Sequence, residues 1–323
     1  MDTVFVTGAD GFTGSHLLAH LRQRGYRVAA GVRNRARKLA CERQGIKAIV
    51  CDVTDPINVA RVIAGVRPDG VIHLAGPSQP ADAAQEPLAA YQGIVTAWAN
   101  VLDAVRRAVP RATVVLASAW DVYGAAGQDG QPLTETTPAE PVTMFGSLKH
   151  TAETIARDFY RHYHLNVVIA RPFLYTGPGQ SARSFWGAVA RTIAGAGSTP
   201  GIAALHPPDL SCRRDVLHVQ DVVVAYERLL KDGRPNEVYN ICAGRTWTCR
   251  EIVENAAREL GLSLPPADVP QSDPQRAAAF AGDNTKIRTE LGWAPARSPV
   301  EAVCDLVRSL RTPAPVAAQS VRL

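Results

Sequence analysis

Short apolar runs and helix-length amphipathic stretches alternate along the first half of the chain. The runs Thr3–Thr7, Arg27–Val32, Lys47–Val50, Gly70–Ala75, Ala112–Ser118 and Asn166–Arg171 read as strands. Their continuous Val/Ile/Leu-rich character is that of strands covered on both faces. Between them, apolar positions recur at helical spacing over Gly14–Arg24, Arg35–Gln44, Pro56–Ala64, Pro87–Ala108 and Gly146–His164. Alternation of this kind predicts an α/β fold with a doubly wound parallel sheet. Beyond Arg171 the pattern loosens. Pro and Gly punctuate 172–212, and helical patterns near 219–231, 249–260 and 299–311 surround short strands. The expectation is a sheet domain over 1–171 and a smaller C-terminal α/β substrate lobe over 172–311. That lobe returns some strands and helices to the first domain, and a Pro/Ala-rich tail covers 312–323.

The first predicted strand runs straight into Thr7-Gly8-Ala9-Asp10-Gly11-Phe12-Thr13-Gly14, where a helix begins. Glycines in such a turn let the backbone fold tightly, approach a pyrophosphate and seat the helix against the strand. The helix N-terminus then offers free N–H groups and a partial positive charge. Placed at the first strand-to-helix turn, the motif predicts a Rossmann domain that binds a nicotinamide dinucleotide through this stretch. The second strand ends at Val32-Arg33, where a site selecting NAD would carry Asp or Glu for the ribose diol. An apolar residue followed by Arg33 suits a 2′-phosphate and favours NADP(H) over NAD(H); the plainer reading of Arg33 is a solvated helix start. Asp52 and Val53 are placed to hold the adenine. Leu74, Ala75 and Gly76 end the fourth strand where the dinucleotide would pass.

Composition changes the picture little. The 323 residues are 46% hydrophobic and 20% charged, which is ordinary for a protein with a substantial core. The net charge of +5 suits an acidic or phosphorylated ligand. Lys and Arg are scattered, however, with no long basic run, which argues against nucleic acid as a partner. The six cysteines show no CxxC spacing and no paired His motif, so free thiols in a reducing cytoplasm are expected rather than zinc. The chain starts in a strand with no leader, and no apolar run approaches the ~18 residues of a membrane span. The expectation is a cytoplasmic protein without a membrane partner.

These motifs together resemble the extended short-chain dehydrogenase/reductase family, whose members mostly modify nucleotide sugars. The resemblance spans nearly the whole chain, through Thr7–Gly14, His73-Leu74-Ala75, Val122-Tyr123-Gly124, Gly146–Lys149, Arg171-Pro172, Arg214–Val222 and Glu290–Trp293. Val238–Gly244 and Gly177–Ser181 look nearest to the GDP-4-keto-6-deoxy-mannose reductase branch. The resemblance implies a dinucleotide contact at Pro172, a homodimer through the helices after the fourth and fifth strands, and a nucleotide-linked small-molecule substrate. It also implies a tyrosine that exchanges a proton with substrate, a lysine four residues on, and a Ser or Thr that orients the substrate oxygen.

Here the pattern departs from the family. Lys149 fits the lysine, but Phe145 stands at the tyrosine position, and a phenyl ring has no proton to give. The Ser/Thr position falls on Ala119, with Ser118 one step away; Leu174 replaces the usual asparagine, and Ile94 falls near the helix asparagine. Asp121 sits where related dehydratases keep a Glu, so it is read as a replacement acid/base or, equally, as a capping carboxylate. Tyr175 is a second candidate proton donor, and Tyr123 reads as a core tyrosine. Arg183, Arg214 and Arg276 are candidate ligands of a substrate diphosphate, with Asp273 where the family places another arginine. Three readings follow: a keto reduction, epimerisation or dehydration with a non-standard acid/base; a non-redox elimination, isomerisation or cyclisation around a structural cofactor; or a non-catalytic cofactor sensor.

Overall fold

A computed structural model describes residues 2–127, 131–195, 210, 212–262 and 281–311. In chain order the first half runs β1 (Thr3–Thr7), α1 (Phe12–Gln23), β2 (Arg27–Val32), α2 (Arg35–Arg43), β3 (Ala48–Val50), α3 (Pro56–Val66) and β4 (Gly70–His73). It continues with α4 (Pro80–Gln85), α5 (Pro87–Tyr91), a π-helical turn (Gln92–Thr96), α6 (Ala97–Ala108), β5 (Thr113–Ala117), α7 (Met144–Tyr163) and β6 (Asn166–Pro172). The second half adds β7 (Leu174–Thr176), α8 (Phe185–Ala194), β8 (Arg213–Arg214), β9 (Val216–His218), α9 (Val219–Asp232), β10 (Val238–Ile241), β11 (Trp247–Thr248), α10 (Cys249–Glu259), α11 (Thr285–Leu291) and α12 (Pro299–Arg311).

Seven parallel strands form the central sheet in the order β10-β6-β5-β4-β1-β2-β3. The reversal between β1 and β4 leaves a crevice at their C-terminal ends, which is where open α/β sheets bind ligands. Alternate strand residues feed opposite cores. Phe5, Val71, Val114 and Leu116 pack beneath α3, α6 and α7, while Val4, Val6, Ile72 and Val115 pack beneath α1 and α9. A third core joins α8, α10 and α12 through Val189, Ile252 and Val303. Six sheet strands come from residues before 173, and β10 is supplied by the second half.

The helix expected over Pro87–Ala108 is interrupted. A separate α4 precedes it, Pro87 opens α5, and the π-helical turn shifts the register before α6. That turn brings the Gly93 carbonyl so close to Gly76 that a Cβ there would lie 2.6 Å from it. Of the apolar positions in this stretch, Val95, Trp98 and Leu102 are buried, but Leu88 and Tyr91 face solvent. β4 stops at His73, two residues early, because Gly76 (φ +130°) turns the chain out of the sheet. Helix α7 starts two residues early, where Thr143 accepts the Gly146 N–H, and ends at His164 in the left-handed conformation.

Candidate active site

A cleft of about 680 Å3 opens over the C-terminal ends of β1, β4 and β5. At its base the chain leaves β1 through Gly8 (φ +65°), where any Cβ would meet the Ala75 nitrogen at 2.8 Å. A Cβ on Gly14 would lie 2.2 Å from the Gly8 carbonyl oxygen. Only glycine allows this approach. Gly11 caps α1 without a side-chain hydrogen bond, and the first turn carries no acidic residue. The unsatisfied N–H groups and the positive end of the helix dipole therefore face the cleft, a cradle for phosphate. The glycine turn, with Asp10, Phe12 and Thr13, lines this base.

From there the cleft extends to Arg33, Asp52 and Val53 on one side, and past Leu74, Ala75 and Gly76 toward Pro172 on the other. Asn34, which caps α2 by accepting the Arg37 N–H, and Arg37 itself line the same end. Arg37 pairs with Asp10 at 3.4 Å. The Asp52 carboxylate accepts both the N–H and the hydroxyl of Thr54, which fixes the turn beside Val53.

The opposite end is built by β5 and α7. Phe145 and Lys149, one helical turn apart, both point inward and are buried. The Lys149 Nζ donates to the Ala117 carbonyl at 2.6 Å and lies 5.5 Å from the Trp98 ring and 5.6 Å from the Phe145 ring. Burial brings the ammonium down to about 8, against the opposing charges of Glu153 and Asp121. Asp121, on the short turn after β5, is pushed up to about 6 by burial, with Lys149 pulling the other way. His73 beneath them bonds Thr7 Oγ1 at 2.7 Å; burial and Lys149 push it down to about 3, so it stays neutral.

The remaining expected residues fall in different places. Ala119 and Ser118 line the cleft, but the Ser118 hydroxyl donates inward to Glu153 at 2.5 Å. Tyr175 lines the cleft too, yet its phenol bonds Thr13 Oγ1 at 2.7 Å and its ring stacks on Phe12 at 5.9 Å. It serves the glycine turn rather than standing free as a proton donor, and burial raises its pKa. Tyr123 is a core residue as read, donating to Asn240 Oδ1 at 2.6 Å. Arg183 pairs with Asp82 outside the cleft lining. Arg214 donates to the Arg213 carbonyl at 2.8 Å and borders a small side pocket with Trp120, Phe173 and Asp215. Arg276 and Asp273 lie outside the described residues.

Sequence reading missed the buried pair Glu153–Arg171, joined by hydrogen bonds of 2.9 and 2.6 Å. The signal was present: Glu153 continues the inward stripe of Phe145 and Lys149, and an acid on a buried helix face needs a partner. Trp98 also packs its ring against Lys149. Among the described residues no His/Cys/Asp/Glu group could hold a metal ion, and no helix is long and apolar enough to cross a membrane.

Residues 5–306 match the family model described as GDP-mannose 4,6 dehydratase. The GDP-6-deoxy-D-mannose reductase of Pseudomonas aeruginosa is 30% identical over 296 residues, which cover 90% of this chain and 91% of that protein. The NADPH complex of RMD from Pseudomonas aeruginosa has a TM-score of 0.80 at 27% identity, covering 96% of this chain and 99% of the other. The UDP-glucose 4-epimerase of Thermus thermophilus in complex with NAD gives 0.80 at 25% identity, over 97% and 100% of the two chains. On the fold, the glycine turn and these matches together, the chain belongs to the GDP-mannose 4,6-dehydratase family of extended short-chain dehydrogenases/reductases, NAD(P)-dependent enzymes that epimerise, dehydrate or reduce.

Proposed function

We propose that this protein is an NADP(H)-dependent enzyme that acts on the sugar ring of a nucleotide sugar, with Asp121 and Lys149 handling the proton in place of the missing tyrosine. The observation that carries this reading is that those two groups line one cleft with Phe145 and Ala119, each acting on the other's charge. Lys149 is buried and Asp121 half-buried in the cleft wall, and both are drawn toward neutrality, Asp121 to about 6 and Lys149 to about 8. Between those values Asp121 is a carboxylate able to accept a proton, and Lys149 is an ammonium able to hold a developing oxyanion.

The chain fits the dinucleotide. Gly8, Gly11 and Gly14 leave room for the pyrophosphate at the start of α1, and Arg33 and Arg37 flank the end where a 2′-phosphate would sit. Solved relatives carry either NADPH or NAD, so the preference rests on Arg33 and Arg37. The bound nicotinamide supplies the hydride chemistry; the side chains bind it, shed water and move the proton. Ser118 and Asp121 line the substrate end, while Arg214 lies behind Trp120 and Phe173, outside the cleft lining. Exposed Leu88, Tyr91, Val142 and Met144, near the start of α7 and the helix before α6, fit the homodimer that the family resemblance implies. All six cysteines are free, which fits the cytoplasm.

The decisive experiment measures NADPH and NADH affinity by calorimetry, then follows absorbance with GDP-4-keto-6-deoxy-D-mannose. NADPH binding tighter than NADH, with turnover abolished in Asp121→Asn, supports the reading. Equal affinities or full activity in that variant overturn it. Sedimentation at micromolar concentration tests the dimer.

A further inference from the structure

Lys149 is a buried cation whose charge no contacting carboxylate takes up. Glu153, one helical turn on, gives its carboxylate to Arg171 at 2.6 Å. Asp121 lines the same cleft and acts on Lys149 without an ion pair between them. Of the three hydrogens on the ammonium, one goes to the Ala117 carbonyl at 2.6 Å. The rest of its surroundings are aromatic. Its Nζ stands over the Trp98 ring at 5.5 Å and over the Phe145 ring at 5.6 Å. Both lie within the ~6 Å at which the negative face of a ring attracts a cation, and the attraction is strongest for tryptophan and where water is excluded. Neither ring is loose. Trp98 is 1% exposed on α6 and meets His73 edge-on at 6.4 Å, and Phe145 is buried on α7.

Burial alone favours the neutral amine and brings Lys149 down to about 8. A carboxylate in contact would oppose this, but it would also cancel the charge. Ring faces and a carbonyl hold a cation and leave its charge whole, as a group that meets a developing oxyanion requires. We propose that Trp98 is a positioning residue: with Phe145 it boxes the Lys149 ammonium against the Ala117 carbonyl and keeps it a cation at the cleft wall. The box also gives Phe145 a use, since a ring without a hydroxyl still has its faces. The use of the charge rests on the nucleotide-sugar reading above; the box itself does not. The titratable groups around Lys149 are His73 on β4, Asp121 on the turn after β5, and Glu153 on α7, tied to Arg171. His73 is pushed down to about 3 by burial, and Asp121 up only to about 6, so neither changes charge where Lys149 does.

Fluorine drains the negative face of an indole while nearly keeping its size, so it separates attraction from packing. The test uses the full chain with its tryptophans replaced by fluorotryptophans of increasing fluorine number. Carbon-13 at lysine Cε reports the titration. The chain has five lysines, hence five signals, and Lys149→Met identifies the one that matters. Its midpoint is expected to fall stepwise with fluorine number, by about one pH unit in all, while the other four stay fixed. In Trp98→Phe the dependence on fluorine should vanish. An unchanged midpoint overturns the proposal: a merely structural Trp98 would alter thermal stability alone. A fall that persists in Trp98→Phe also overturns it, because another tryptophan would then be responsible. If Trp98→Phe fails to fold, the fluorinated native sequence decides by itself, a stepwise fall for the proposal and an unchanged midpoint against it. The alkaline limb of turnover should move with the midpoint. A midpoint that moves while the limb stays leaves the box standing and overturns the role given to Lys149 in the nucleotide-sugar reading.

Discussion

The two ends of the cleft are made of different material. The dinucleotide end is built from backbone: Gly8, Gly11 and Gly14 matter for the side chains they lack, and the open N-terminus of α1 supplies the charge. The other end, which we propose handles the proton, is built from side chains. α7 still presents Phe145 and Lys149 one turn apart, and β5 still delivers Ser118 and Ala119 to the wall. A backbone site tolerates little substitution, because a side chain at Gly8 or Gly14 collides with the main chain. A side-chain site can exchange a phenol for a phenyl ring without disturbing its neighbours, and so changes its chemistry while keeping its fold.

Five substitutions would break or sharpen that contrast. The largest effect is expected from Gly14→Ala, whose methyl would stand 2.2 Å from the Gly8 oxygen. It should abolish measurable NADPH binding and destabilise the protein by about 3 kcal/mol, read by calorimetry and thermal melting; a variant that still binds would show that the turn can yield. Next comes Lys149→Met, which keeps the apolar stem and removes the charge. Turnover should fall about a thousandfold, and a change confined to KM would limit Lys149 to binding.

Asp121→Asn should cost about a hundredfold in turnover while making the fold more stable. The sign follows from the carboxyl's rise from 3.8 to about 6. The native state prefers the proton, so its stability declines as pH climbs from about 4 to about 6 and stays lower above. The asparagine variant should therefore gain up to about 3 kcal/mol at pH 7 and little near pH 3.5. Denaturant melts at the two pH values check it. For the wild type, turnover should rise as pH passes about 6 and fall as it passes about 8, following Asp121 and Lys149.

Arg33→Asp should weaken NADPH about tenfold or more and spare NADH, as seen in parallel titrations. Phe145→Tyr should do least. Its new phenol meets neither a Ser nor a Thr at position 119, and the Ser118 hydrogen is held by Glu153. A large gain in ketone reduction from that single change would show that the rewritten end had kept its old chemistry.

The same division explains what the sequence made legible. The strands and the glycine turn were readable because parallel strands must be continuously apolar and because the turn must be glycine. The start of α7 was missed by two residues, since Thr143 decides it through a single capping bond. The break before α6 was missed because a π-helical turn leaves no mark in residue spacing. At the site, the residues read as cofactor-binding line one cleft. Tyr175 and Arg183 did not behave as read, because their nearest partners, Thr13 and Asp82, are 162 and 101 residues away in the chain. Pairings at that separation are set by topology, which local patterning does not carry. Glu153–Arg171 is the instructive exception: its partner was hidden, but the acid on an apolar helix face announced that one existed.

The contacts of Tyr175 carry one more consequence. The Tyr175 ring stacks on Phe12, its phenol holds Thr13, and the Pro178 carbonyl of the next loop accepts from His16, 2.8 Å away. Three points of the first helical turns are thus stitched to a segment more than 160 residues distant. A dinucleotide seated against that turn shares its fate with the stitching. Amide hydrogens of Phe12–His16 and of Tyr175–Gln180 should exchange with solvent as one cooperative unit, slowing together on NADPH binding although only the first stretch forms the phosphate cradle. The cofactor's residence time would then be governed by the opening of that unit rather than by the phosphate contacts alone.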